Sequence, residues 1–166
     1  GEETVFVEGN HENFDLLDAM PTAQWMGGEV HIVRPGILHL MRGQVYEIEG
    51  SRFFTMGGGA SGDKEYRTEG KSWWAREMPS AEEYAEAWKS LARVDFAVDY
   101  IITHTAPTGI VRQFRMREGE QELGDFLEEV MRRVAYRKWY FGHVHRDVDV
   151  DDRHIAIYRQ VRNLSG

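Results

Sequence analysis

The sequence predicts a mixed α/β fold, and two features of its 166 residues support this prediction. Short apolar segments of strand length alternate with segments of helical periodicity at both ends of the chain. A set of short alternating segments, typical of antiparallel strands, lies between them. We find no internal repeat, low-complexity tract or domain boundary, so we expect a single domain over residues 1–166.

The first half of the chain contains one predicted helix among strands. A short buried strand is predicted over Thr4–Val7. Asn13 is a suitable N-cap for a helix over Phe14–Met20, which Pro21 would end. Runs of alternating apolar residues, separated by glycine-containing turns, then predict an antiparallel meander. Its strands are Val30–Val33, Ile37–Met41, Val45–Ile48 and Arg52–Met56.

The second half of the chain alternates between helices and strands, after a long polar and aromatic loop over residues 57–79. Ser80 and Glu83 form the capping-box pattern that opens a helix, which is predicted to run to Arg93. The remaining elements are a strand over Tyr100–Thr103, a break at Ala106–Gly109, a helix over Glu120–Val134, a strand over Trp139–Phe141 and a closing hairpin around Asp151–Arg153.

The composition favours an acidic globular protein. Apolar residues make up 42% of the chain, which is enough for a packed core. The net charge of −8 argues against a nucleic acid or an anionic membrane as the main partner, and no apolar run is long enough to span a bilayer. The chain contains no cysteine, so a bound metal ion would need nitrogen and oxygen ligands. We expect a soluble, cytoplasmic protein.

Polar residues of metal-binding type follow three of the predicted strands. Asn10 and His11 follow the first strand, and His104 follows the strand before the break. His143 and His145 follow the last strand before the hairpin, and in an extended segment they would point to the same side. We expect these side chains to lie together, because sites form at the carboxyl ends of strands in α/β sheets. Two histidines at a strand end can also merely form hydrogen bonds, and the His-x-His spacing alone leaves both interpretations open.

Three motifs, each after a predicted strand, resemble those of the calcineurin-like metallophosphoesterase family: Gly9-Asn10-His11-Glu12, Thr103-His104 and Gly142-His143-Val144-His145. The run over residues 57–74 is similar to that of small bacterial and phage members of the serine/threonine phosphatase-like kind. The resemblance covers almost the whole chain and implies a β-sandwich flanked by helices. It also implies a phosphoesterase in which metal-bound hydroxide attacks a phosphate ester.

The resemblance further implies roles for individual residues. Asn10, His104 and His143 match three ligands of one metal ion. His145 matches a ligand of a second ion, and His11 matches the histidine that protonates the leaving alkoxide. Imidazole and amide ligands suit Mn, Fe, Zn or Ni, and two such ions would clamp the attacking and leaving oxygens. The substrate is expected to be phosphorylated, but the fold does not choose its class.

Two further motifs of that family would precede Gly9-Asn10, namely an Asp-x-His and a Gly-Asp-x-x-Asp. Only nine residues lie ahead of Asn10, so the sequence shows neither motif there. We therefore expect one metal ion or none in this chain, poor catalysis, and a sheet without its first one or two strands. A gene product that begins earlier would supply both motifs. The alternative is a truncated or degenerate domain of the same fold that binds a metal or a partner without catalysis.

The remaining candidate residues lie in the long loop and inside strand patterns. Arg67 has two interpretations: it binds phosphate oxygens of the substrate in a bidentate way, or it forms a surface ion pair with Asp63. For Trp73 and Trp74 we favour packing on the sheet, because tryptophans usually need a surface to pack on. Three histidines outside the motifs are predicted to be face or edge residues of strands: His31, His39 and His154.

Overall fold

The computed structural model describes residues 4–9, 14–59, 77–114, 120–144 and 147–157. It shows a mixed α/β fold, as the sequence predicts, with helices and two mixed sheets. In the described ranges the strands are β1 (Thr4–Phe6), β2 (Thr22–Trp25), β3 (Gly28–Arg34), β4 (Ile37–Leu40), β5 (Gln44–Ile48), β6 (Ser51–Met56), β7 (Tyr100–Thr103), β8 (Lys138–Phe141), β9 (Val148–Asp149) and β10 (His154–Ala156). The helices there are α1 (Phe14–Asp18), α2 (Ala81–Arg93), α3 (Thr108–Val111) and α4 (Gln121–Arg133).

The larger sheet has six strands in the order β5–β6–β7–β8–β10–β9. Its four central strands run parallel, and β5 and β9 pair antiparallel at the two edges. Helices α2 and α4 pack against this sheet, since Leu91 and Leu127 share one buried cluster with Ile101 and Trp139 of the strands. Because β7 and β8 are parallel neighbours, the residues that follow them lie side by side at the carboxyl ends of the strands.

The smaller sheet has four strands in the order β1–β4–β3–β2. Strand β1 pairs with β4 in parallel, whereas β2, β3 and β4 pair antiparallel. Val30, Leu38 and Leu40 of this sheet pack with Tyr46 of β5, so the two sheets share a small core. Val5 in β1 is 37% exposed. The prediction of a buried first strand is wrong, because among the described strands β1 pairs with β4 alone and lies at the edge of the smaller sheet.

The predicted meander is divided between the two sheets. Strand β3 pairs with β4, and β5 pairs with β6, but β4 and β5 belong to different sheets. Between them Gly43 has a φ of 74°, and a Cβ there would lie 2.8 Å from the backbone nitrogen of Ala87 in α2. A glycine is therefore required where the chain passes along the helix from one sheet to the other. Strand β2 and helix α3 are elements that the sequence does not predict.

Both long helices agree with the sequence prediction. Ser80 caps α2 by accepting a 3.2 Å hydrogen bond from the backbone N–H of Glu83, whose carboxylate accepts a 2.9 Å bond from the backbone N–H of Ser80. Helix α4 buries the apolar residues that the periodicity selects, among them Leu123, Phe126, Leu127 and Val130. None of the helices in the part of the chain that the structure describes has the length and apolar character needed to cross a membrane.

Candidate metal centre

Two histidines contact each other at the carboxyl edge of the larger sheet. His104 directly follows β7, and His143 lies shortly after the end of β8. The parallel pairing of these strands brings Nε2 of His104 to 2.9 Å from Nδ1 of His143. The side chain of His143 is 5% exposed, whereas His104 is half-buried. The structure thus brings these two predicted residues together.

The end of β1 reaches the same place, although β1 belongs to the smaller sheet. A Cβ built on Gly9 would lie 2.8 Å from Cε1 of His104, and one built on Gly59, after β6, would lie 3.0 Å from its Cδ2. The imidazole ring therefore occupies space that only a residue without a side chain leaves open. Because Gly9 precedes Asn10, the Gly-Asn-His-Glu motif begins against the ring of His104.

His143 has an unusual backbone conformation. Its φ is 67°, and the backbone N–H of Val144 donates a 2.8 Å hydrogen bond to the carbonyl of Gly142. This is a γ-turn with positive φ at its centre, which is strained for a residue that has a Cβ. The extended arrangement that would point His143 and His145 to the same side does not occur at His143, because β8 ends at Phe141 and the chain then turns. Strain of this kind is typical of functional sites.

A buried carboxylate contacts His143 through the other ring nitrogen. Oε2 of Glu120 lies 3.0 Å from Nε2 of His143, and Oε1 of Glu120 accepts a hydrogen bond from the hydroxyl of Thr105. The side chain of Glu120 is 5% exposed. Sequence reasoning misses Glu120, since it marks only the start of a helix there. The available signal is an acidic residue at an N-cap position, where Ser, Thr, Asp and Asn are favoured.

The two histidines suit a transition-metal ion. Two nitrogens that each bind one ion at about 2.0–2.1 Å are roughly 3 Å apart, which is close to the separation that His104 and His143 show. His143 would offer Nδ1 to the ion while Nε2 faces a carboxylate, as is usual for metal-bound histidine. Imidazole ligands favour Mn, Fe, Zn or Ni over Ca. The donors present therefore fit the kind of ion that the resemblance implies.

The other predicted site residues lie outside the described part of the chain: Asn10, His11, Arg67 and His145. Within the described ranges, no group of three or more histidine, aspartate or glutamate side chains is arranged to hold a metal ion. The complete ligand set, the proton donor and the phosphate-binding arginine therefore stay predictions.

A curated protein from Schizosaccharomyces pombe is similar to this chain in sequence. It is named lariat debranching enzyme, and the two are 28% identical over 158 residues. The alignment covers 86% of this chain and 33% of the relative, so the chain spans about a third of the length of that relative. No family model matches the chain, and no solved structure matches it.

A second polar cluster, formed by Glu8, His31, His39 and Arg42, surrounds the end of β1. Nε2 of His39 lies 2.5 Å from Oε2 of Glu8, and Nδ1 of His31 lies 2.9 Å from Nδ1 of His39. Arg42 donates from Nε to Glu8 and from Nη1 to Glu83 at 3.0 Å. Glu8 is 1% exposed, so its charge is balanced inside the protein. The cluster anchors the end of β1 to β4 and to α2.

The second cluster is separate from the histidine pair. It borders a cavity of about 370 Å³, which neither His104 nor His143 lines. Burial, and after it the neighbouring His39, lowers the pKa of His31 below its ordinary value, which favours the neutral ring.

The three histidines that the sequence assigns to strands do lie in strands: His31 in β3, His39 in β4 and His154 in β10.

Proposed function

We propose that this chain carries the metal site of a metal-dependent phosphoesterase. The observation that supports this most is the 2.9 Å approach of His104 and His143 from two parallel strands, at the point where Gly9 leads into the Gly-Asn-His-Glu motif. The similarity to a lariat debranching enzyme supports the same class of reaction.

One ion would be held by three side chains. His104 and His143 would use the nitrogens that face each other, and Asn10 would add its amide oxygen. His145 would be a ligand of a second ion. An ion of this kind acts as a Lewis acid and lowers the pKa of bound water towards neutrality.

Two further side chains would act on the substrate, which we take to be a phosphate ester. His11 would hold a proton and give it to the leaving oxygen, because an imidazole titrates near neutral pH. Arg67 would bind the phosphate oxygens in a bidentate way. Monoesters, diesters, nucleotides and phosphoproteins are all compatible with these roles.

The test is hydrolysis of p-nitrophenyl phosphate and bis(p-nitrophenyl) phosphate by the metal-stripped chain, with and without added Mn²⁺ or Zn²⁺. We expect turnover that depends on the added metal ion. His104→Ala should lower the rate by at least about tenfold. His154→Gln is the matched control, because His154 contacts Tyr136 and Asp151 at the start of β10 and should leave turnover unchanged.

Turnover that persists unchanged in His104→Ala would overturn the proposed site. Metal binding without hydrolysis of either ester would instead favour the competing proposal, a non-catalytic domain of the same fold that binds a metal or a partner.

A further inference from the structure

We propose that Glu120 is a positioning residue for the metal site: it fixes the ring and the tautomer of His143 so that Nδ1 is the ligand atom. This inference rests on the proposed function, because it assigns to His143 the role of metal ligand. It concerns a residue that lies outside every motif of the sequence.

The carboxylate of Glu120 is held on both oxygens. Oε2 lies 3.0 Å from Nε2 of His143, and Oε1 accepts a hydrogen bond from the hydroxyl of Thr105. Thr105 is 1% exposed and lies one residue beyond His104, so one short segment supplies both a ligand and the group that holds Glu120. The carboxylate therefore has a defined orientation relative to the ring of His143.

This contact decides which nitrogen of His143 carries the proton. An ionised carboxylate only accepts hydrogen bonds, so Nε2 of a neutral His143 must be the protonated nitrogen. The lone pair is then on Nδ1, which faces Nε2 of His104 at 2.9 Å. The Nδ1 lone pair of His143 is thus presented to an ion that His104 can share.

Helix capping does not explain Glu120. It occupies the N-cap position of α4, yet its side chain makes no capping hydrogen bond to the helix. Direct metal binding does not explain it either, because Glu120 and His104 contact different nitrogens of the same ring. The carboxylate of Glu120 and the ring of His104 lie on opposite sides of the His143 imidazole. A group that orients a metal-binding histidine contacts the ring nitrogen that does not bind the metal, as Glu120 does here.

The contact between Glu120 and His143 also helps to hold the strained turn at His143. The backbone of His143 has a positive φ. A residue with a Cβ keeps that conformation only where contacts with its surroundings hold it. Glu120 fastens the far end of the His143 side chain, opposite the turn.

The test compares the wild-type chain with Glu120→Gln and Thr105→Val. Glu122→Gln is the matched control, because Glu122 lies in the first turn of the same helix but is exposed. Two quantities are measured. Histidine ¹⁵N NMR of the metal-free chain at pH 8 reports which nitrogen of His143 carries the proton, and calorimetric titration with Zn²⁺ alone reports the affinity.

We expect Nε2–H on His143 in the wild-type chain and slow exchange of that proton; Glu120→Gln should speed the exchange, because an amide oxygen accepts a hydrogen bond more weakly than a carboxylate. We expect Zn²⁺ affinity to fall by about 10- to 100-fold in Glu120→Gln, by less in Thr105→Val, and not at all in Glu122→Gln. Nδ1–H on His143, or wild-type affinity in Glu120→Gln, would overturn the inference. Because the tautomer is read without metal or substrate, a failure of the phosphoesterase proposal is recognised separately, as absent hydrolysis with this effect intact.

Discussion

At the scale of single residues, His143 has a strained backbone conformation. Its φ of 67° turns the chain directly after β8, while its two ring nitrogens face His104 and Glu120. A residue with a Cβ in such a conformation costs on the order of 1–3 kcal/mol, and it persists only where the surroundings hold it. The contacts on both sides of the imidazole are what hold it here.

Gly9→Ala should disturb metal binding, because its new methyl group would lie 2.8 Å from the ring of His104. The ring would have to move relative to His143, and we expect Zn²⁺ affinity, measured by calorimetry, to fall by about 10- to 100-fold. Gly142→Ala is the matched control, since its methyl group would lie at an ordinary 3.5 Å from the carbonyl oxygen of His104. Equal affinities in both variants and the wild type would refute the packing of Gly9 against His104.

The histidines of the site are predictable from the sequence, but the carboxylates are not. His104 and His143 have a distinctive residue type at the ends of strands, and that pattern is visible along the chain. Glu120 matters because it contacts a ring 23 residues away, and Glu8 because it contacts His39, 31 residues away. Most glutamates lie on protein surfaces, and the sequence alone does not distinguish a buried glutamate from an exposed one.

At the scale of elements, helix α2 has a serine at its N-cap and another in its interior, and the two are in opposite situations. Ser80 makes both hydrogen bonds of the capping box. Ser90 is 4% exposed, and its hydroxyl has no hydrogen-bond partner in the part of the chain that the structure describes. A cap contributes about 1 kcal/mol to stability, whereas a buried hydroxyl without a partner costs about 1–3 kcal/mol.

Ser80→Ala should therefore lower the free energy of unfolding by about 1 kcal/mol. Ser90→Ala should leave it unchanged or raise it by up to about 1 kcal/mol, because alanine removes the buried hydroxyl and favours the helix. Urea denaturation of both variants measures the two changes. If Ser90→Ala is destabilised as much as Ser80→Ala, the Ser90 hydroxyl has a partner and this account of the helix is incorrect.

The long elements follow from the sequence, and the short ones depend on their neighbours. Helices α2 and α4 each span several turns with one apolar face, so their periodicity is clear. Strand β2 has only four residues, and it is ordered through its antiparallel pairing with β3. Helix α3 has four residues after a proline, too few for a periodic pattern. Such elements are decided by tertiary contacts rather than by local preference.

At the scale of the whole molecule, Arg42 connects parts that lie far apart in the chain. It contacts Glu8 after β1, the carbonyls of Glu77 and Met78 at the end of the long loop, and Glu83 in α2. Its side chain is 2% exposed, so these hydrogen bonds must satisfy a buried charge. The join between the smaller sheet and α2 is therefore polar, in contrast to the apolar face of the larger sheet.

The division into two sheets could not be predicted from the spacing of the strands. Four short strands with glycine-containing turns have the same pattern whether they form one meander or two separate hairpins. The difference arises at Gly43, where the chain passes against Ala87 of a helix that begins only at residue 81. That contact is invisible until the packing of α2 is known.

The proposed function depends above all on metal binding by His104 and His143. Zn²⁺ is titrated into the wild-type chain, His104→Ala and His143→Ala, and the number of bound ions is measured together with the ¹⁵N resonances of both histidines. We expect one ion bound at the histidine pair, with Nε2 of His104 and Nδ1 of His143 shifting together, and loss of that ion in each variant. An ion that binds equally well in both variants, or no ion in the wild-type chain, would contradict this expectation.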